Sequence, residues 1–388
     1  MKWLAVAVVI VASSVPAAAQ DPWRTSYFPY LIGNPTDGVM LVARWQRTQN
    51  APYFLEQTDE KDVINPITFR GAVSVEAGAG TLGSRYLRAE ARLPGVVAGW
   101  RFHGQLGAER QGRFAYYGLG ADLDAADPVA PNTNVNRIHR ERWLARAEAT
   151  RTIRGPLRFA LGLFLDRTTL SKLPDSTLFA LRFDQVRRTS LMVRPALVLD
   201  TRDREFTPSR GVLAEIGAGF GSGREQSLGV ADNDGGFFGF TYGQVKGYFS
   251  PRAGTVLAGR ALFRRMAERA PLTARFSLPG WEREFLLSGA DGHRGLPAGA
   301  VAATNVEMLA AEIRHDLLNA GDLGAVTLVA FGDYARIEDR LSVRAGSTDF
   351  FAAGGGVAFR VLRSAVLTTN FAAGKHGFNF SMGTHWSF

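Results

Sequence analysis

The chain has 388 residues, enough for one large barrel or an equally large core, and no cysteine, which excludes a disulfide framework and a thiolate metal site. Its mean hydropathy of −0.05 gives no hint of a helical membrane protein. A formal charge of +9, carried almost wholly by arginine, points to an anionic surface such as lipid headgroups or lipopolysaccharide, or to a basic pore lining. The arginines are dispersed along strand-like segments, which argues against nucleic acid as a partner.

Residues 1–19 read as a secretory signal peptide. Lys2 supplies a short positive region, Leu4 to Val15 an apolar run, and Ala17-Ala18-Ala19 a cleavage site before Gln20. The apolar run is too short to span a bilayer, which takes roughly 20 residues. Residues 20–37, rich in aromatics and proline around Asp21 to Asp37, read as a short periplasmic segment. From residue 38 to 388 the chain alternates with a period of two, and no long stretch shows a capped 3.6-residue period.

Several strands are unusually clear. Between Leu157 and Asp166 the odd positions are bulky and apolar, while Arg158, Gly162 and Asp166 lie on the other face. Val212 to Phe220 and Phe378 to Phe388 repeat the pattern. Such strands of about 9–12 residues, with aromatics near their ends and polar, glycine-rich opposite faces, fit a transmembrane antiparallel barrel with its apolar face outward. Lipid permits a sheet only in closed form, because an open edge leaves backbone groups unpaired. Strand starts fall near Val39, Thr68, Arg85, Ala98, Arg113, Arg140, Leu157, Leu191, Gly211, Phe237, Thr255, Ala303, Ala325, Ala352, Ala365 and Phe378. That predicts an all-β barrel of about 16 strands, with both termini in the periplasm. Long connections follow odd strands (48–66, 121–139, 168–190, 222–236 and 266–302), whereas Ser250-Pro251-Arg252-Ala253 is a short turn. This asymmetry matches long extracellular loops and short periplasmic turns. The ending Ser381-x-Gly383-x-x-Trp386-x-Phe388, with its aromatics outward on a last strand, resembles the sorting signal read by the barrel assembly machinery of Gram-negative bacteria.

Three stretches together resemble the barrel of the bacterial surface-antigen superfamily, which includes outer-membrane insertases and two-partner secretion transporters. The first is the turn from Leu199 to Gly211, with Asp200, the Arg202-Asp203 pair, Pro208 and Gly211. The second is His293-Arg294-Gly295-Leu296, preceded by Leu287-Ser288-Gly289. It resembles the Arg-Gly-aromatic tip of the long sixth extracellular loop, which in the family folds into the lumen; Leu296 and His293 depart from the family's usual residues. The third is Phe331-Gly332-Asp333, resembling a Phe-x-Asp element whose carboxylate pairs with the loop arginine. Alternation independently turns Asp333, with Thr327 and Phe331, away from the lipid-suited Val326, Leu328, Ala330 and Tyr334. Glu312 resembles a second carboxylate aimed at the same arginine. The resemblance covers Pro29 to Phe388 and implies a seam between the first strand (Val39 to Gln46) and the last (Phe378 to Phe388). Family members usually carry periplasmic polypeptide-transport-associated domains, and none is expected here.

No catalytic, cofactor or metal site is expected. The six histidines are scattered without ligand spacing, no Gly-x-Ser-x-Gly elbow is present, and Gly217-Ala218-Gly219-Phe220-Gly221 reads as lumen-side glycine in a strand. Asp122, Asp124 and Asp127 read as solvated loop carboxylates. The expected function is assistance to insertion or export of proteins at the outer membrane, with a separate periplasmic receptor. The alternative is a passive pore or structural surface antigen.

Overall fold

The computed structural model describes residues 23–50, 69–125, 134–174, 178–229, 236–281, 283–320, 324–344, 346–361 and 365–388. The signal segment 1–19, most of the 48–66 connection and Asp127 lie outside them. Sixteen antiparallel strands form one sheet in chain order. They are β1 Arg24–Asn34, β2 Gly38–Asn50, β3 Phe69–Gly80, β4 Arg85–Val97, β5 Trp100–Ala115, β6 Arg137–Arg154, β7 Leu157–Lys172, β8 Phe183–Asp200, β9 Gly211–Gly229, β10 Phe238–Arg252, β11 Thr255–Met266, β14 Asn305–Asn319, β15 Gly324–Glu338, β16 Ser347–Val361, β17 Ala365–Gly374 and β18 Gly377–Gly383. A small hairpin, β12 Ser277–Pro279 and β13 Glu284–Leu286, lies within the connection from β11 to β14.

The expected inside-out barrel is the one found. Leu157, Phe159, Leu161, Leu163 and Leu165 are exposed on β7, and Arg158 on the same strand is buried. The interior is rich in arginine: Arg188, Arg194, Arg264, Arg275 and Arg294 are fully buried. Buried cations persist only with partners, so the interior must supply carboxylates and carbonyls. Strand β10 departs from the simple pattern, because Phe238, Phe240 and Tyr242 point inward. They lie across from Gly221, Gly219 and Gly217 of β9. A Cβ added at Gly219 would come 2.2 Å from the Phe240 ring, so the glycines are the floor on which the rings rest.

Three sequence expectations are corrected. The described part of the 20–37 stretch is not a separate periplasmic segment, since Arg24–Asn34 is the first barrel strand and pairs with β2 along its whole length. The start near Arg113 is not a new strand but the continuation of β5, where a register shift between Gln111 and Phe114 resets the alternation. The two errors cancel in the count. The first one also moves the connection from β2 to β3 to the barrel end that carries both chain ends, because β1 adds one traverse before it.

The third concerns the last strand. β18 ends at Gly383, and Thr384 to Phe388 leave the sheet, with Trp386, Ser387 and Phe388 all buried. The seam implied by the resemblance therefore lies between β1 and β18, not between Val39–Gln46 and a strand running to Phe388. Among the described residues no ladder joins β1 to β18. The two strands meet through side chains: a Cβ on Gly33 would come 3.7 Å from Phe380 and 3.8 Å from Met382. With seven residues against eleven, β18 leaves the part of β1 toward Arg24 without a strand opposite.

Backbone amides without a ladder partner exchange through small local openings. In a hydrogen-exchange experiment on the detergent-solubilised barrel, amides of β18 and of the Arg24 half of β1 should exchange far faster than those of β8 and β9. Equal protection around the circle would mean that the sheet closes.

Candidate functional site

The connection from Ala267 to Thr304 folds back into the barrel. Its apolar residues Leu278, Phe285, Leu287, Leu296 and Val301 pack with Phe240, Tyr242 and Leu262 of the inner wall. Burial of these side chains drives the loop inward, and polar contacts fix its position. Gly295 passes so close to β16 that a Cβ would come 2.3 Å from that of Ala352.

The adjacent Arg294 is held on every side. Its backbone N–H and Nε each donate to Asp333 Oδ2 at 2.9 Å, and Nη2 donates to Asp333 Oδ1 at 2.6 Å. Nη1 donates to Glu312 Oε2 at 2.6 Å, and the guanidinium lies 3.6 Å from the centre of the Phe331 ring. Glu312 also accepts from Nε of Arg314. Asn379 of β18 donates to the carbonyls of Arg294 at 2.6 Å and Leu296 at 3.1 Å. Burial disfavours the Arg294 charge, but the Asp333 and Glu312 carboxylates outweigh it and hold its proton more tightly than water does. Glu312 faces inward with Met308, Ala310 and Arg314, so β14 and β15 present both carboxylates to one loop residue. Removing one partner of such a buried pair costs about 3–5 kcal/mol, because the other charge is left uncompensated.

A second anchor lies across the lumen, and sequence reasoning missed it. The tip of the β12–β13 hairpin carries Gly280 and Trp281, whose carbonyls accept from Arg146 Nη2 at 3.0 and 2.8 Å. The Trp281 N–H donates to Glu215 Oε2 at 3.1 Å, and its indole N–H to Thr150 at 2.8 Å. Arg194 bridges Glu148 and Glu215 behind it. Where β13 begins beside that tip, Glu284 pairs with Arg142 at 2.7 Å. Burial would raise the Glu284 carboxyl, yet Arg142 and Ser277 bring it down to about 2. The available signal was Pro279-Gly280, a turn dipeptide between short apolar runs.

The turn motif connects to this anchor. Asp200 accepts from Arg202 Nε at 2.9 Å and from Arg158 at 3.2 Å. Asp203 accepts from the backbone of Ser209 at 2.9 Å and Arg210 at 3.1 Å, with Pro208 buried beside them. Gly211 has a φ of +98°, and a Cβ there would come 2.2 Å from the Thr201 carbonyl oxygen. Arg158, and Arg101 bonded to Glu205 of the same turn at 2.6 Å, both stack on Trp281, at 5.4 and 5.5 Å from its ring. The turn at one end of the barrel thus touches the tip of a loop rooted at the other.

Of the four residues expected as a sorting signal, Ser381 is in β18 and faces inward. Gly383 ends that strand, while Trp386 and Phe388 turn into the lumen. They are not outward aromatics of a last strand. Arginines from β11, β14 and the loop receive this segment, and no local pattern in residues 378–388 announces them. Among the described residues no cluster of His, Asp and Glu could hold a metal ion.

The chain shares its fold with solved outer-membrane barrels. BamA from Haemophilus ducreyi, in a form lacking POTRA domains 1–3, superposes with a TM-score of 0.53 at 13% identity, over 92% of this chain and 69% of that one. CdiB from Escherichia coli superposes with a TM-score of 0.57 at 13% identity, over 95% of this chain. This chain spans 63% of the CdiB chain's length. No protein-family model matches the sequence, and no curated protein does. The resemblance to the surface-antigen barrel is therefore borne out at the level of fold.

Two substitutions check the geometry. Arg294→Lys keeps a charge but cannot span Asp333 and Glu312 as a fork, so limited proteolysis should begin to cut within residues 283–300, where the unaltered barrel resists. Gly211→Val places a branched side chain at a left-handed position against a carbonyl, and should sharply reduce the yield of heat-resistant, folded barrel on semi-native gels. A protease-resistant Arg294→Lys loop or a normally assembling Gly211→Val barrel would contradict the geometry.

Proposed function

We propose that this barrel assists insertion or export of proteins at the outer membrane, receiving its clients from a separate periplasmic partner, with both of its own chain ends in the periplasm. The observation that carries this reading is the unpaired junction between β1 and β18. An exposed strand edge has a row of free N–H and C=O groups, which pair readily with an incoming strand. In lipid the same groups are costly to leave unmade. A barrel whose role was purely structural would gain by closing that ladder.

The interior supports the same reading. The inserted loop packs against inner-wall side chains of β10, β11, β14, β15 and β16 and is fixed on opposite walls by Arg294 and Trp281. A passive pore works best with an open, water-filled interior, whereas here aromatic rings of β10 are spent on holding the loop.

The test is reconstitution. The purified barrel in liposomes is expected to accelerate folding of a denatured client barrel, followed by the gel shift of the folded client. Steady ion conductance without any acceleration would sink the proposal and establish a passive pore instead.

A further inference from the structure

At the end of the barrel opposite the two chain ends, the outer wall carries arginines that the interior does not use. Arg85 on β4, Arg110 on β5, Arg167 on β7, Arg187 on β8 and Arg224 on β9 are all exposed. Alternation turns them outward. Tyr86, next to Arg85, bonds Glu76 in the lumen, and Arg188 and Glu225, next to Arg187 and Arg224, are buried.

The ladder registers align these side chains. Arg85 pairs with Arg110, Arg110 with Glu141, Glu141 with Thr169 and Thr169 with Arg187, so they form one row across five strands. In the row two residues nearer mid-strand, Trp143 pairs with Arg167, Arg167 with Thr189 and Thr189 with Arg224. The row after that is apolar: Ala89, Leu106, Ala145, Leu165 and Leu191. The arginines therefore stand where the apolar belt ends, at the height of lipid headgroups.

The protein leaves this charge largely unmatched. Within the two arginine rows, from β4 to β9, the one carboxylate is Glu141, 3.8 Å from Arg110. Like charges directly opposite on adjacent strands destabilise a sheet, and Arg85 lies directly opposite Arg110. From β11 to β16, at the same end of the barrel, outward charges balance: Arg265 bonds Glu307, and Arg336 lies between Glu307 and Asp349 in the register. The unmatched sector also has a shape. Trp143, 65% exposed, stands between the Arg85–Arg110 pair on one side and Arg167, Arg187 and Arg224 on the other. Six strands at about 4.8 Å per neighbouring pair span about 24 Å, wider than one phosphodiester headgroup. Arginine forks bind phosphate bidentately, and an exposed indole offers a flat face that suits a sugar ring.

We propose that this outer face is a binding site for the headgroup of a glycolipid with two phosphates, one held by Arg85 and Arg110, the other by Arg167, Arg187 and Arg224, with Trp143 beneath the sugar between them. A phosphate bridging Arg85 and Arg110 turns their repulsion into attraction. The lipid comes from the outer leaflet, a statement that rests on the reading above that both chain ends are periplasmic and is independent of the insertase reading.

The probe is lipid A with both phosphates, added to the purified full chain in detergent and followed by native mass spectrometry. The triple variant Arg167→Gln, Arg187→Gln, Arg224→Gln should bind it about tenfold or more weakly, because charge-assisted bonds to phosphate are lost. The double variant Arg85→Gln, Arg110→Gln should lose about as much. The control Arg265→Gln, Arg336→Gln alters the balanced sector and should leave affinity unchanged. All these side chains are exposed, so each variant should keep the gel mobility of a folded barrel. Unchanged affinity in the triple and double variants, or equally tight binding of phosphatidylglycerol, would overturn the proposal.

Binding in detergent does not depend on membrane side, so orientation is read separately. Val343, 78% exposed between β15 and β16, is changed to cysteine in a chain that has none of its own and labelled on intact cells with a membrane-impermeant maleimide. Labelling is the expected result. Labelling without lipid A binding keeps the orientation and overturns the site; lipid A binding without labelling keeps the site and overturns its outer-leaflet source.

Discussion

One guanidinium organises the interior of this barrel. Arg294 arrives on a loop from one end of the molecule and meets carboxylates from two adjacent strands, over the face of Phe331. A buried arginine without partners would be prohibitively costly. The lock therefore works as a positional constraint. If Arg294 is to be buried at all, the loop must enter to the depth at which Asp333 and Glu312 are both in reach. The apolar residues of the loop supply the drive inward, and the charges choose the depth.

From that constraint the rest follows outward. With Arg294 fixed, the hairpin tip crosses the lumen and seats Trp281 among Arg146, Thr150 and Glu215. Trp281 in turn is the surface on which Arg101 and Arg158 of the turn network rest. On the other side, Glu312 passes the charge pattern to Arg314, and Arg314 to Trp386 and Phe388. The seam, the loop and the turn motif are thus joined by contiguous packed and hydrogen-bonded side chains. Such contiguity is a physical route by which a change at one could reach another.

The legible part of this was the part written in local pattern. Alternation put Asp333 on the inner face of β15, and the outward leucines of β7 marked the lipid side. Strand β1 is obscured in the sequence, because Pro29 lacks an N–H and weakens a strand reading. Its position explains that, since β1 is an edge strand at the seam and an edge tolerates proline. The fate of Trp386 and Phe388 was illegible for a different reason. Their alternation continues that of β18, and only Arg260, Arg283 and Arg314, brought together by the fold, pull them inward. The aromatic inner face of β10 was hidden likewise, because its meaning depends on glycines one strand away.

The central claim is that Arg294 and Asp333 form one interacting unit which fixes the loop in the lumen. A double-mutant cycle on urea unfolding of the reconstituted barrel tests it, using Arg294→Ala, Asp333→Ala and the pair. Each single change should cost about 3–5 kcal/mol by stranding a buried charge. The pair should cost clearly less than the sum, leaving a coupling of roughly 2 kcal/mol or more. Strictly additive losses would show that the two side chains act independently, and the account of the loop as locked by this contact would not stand.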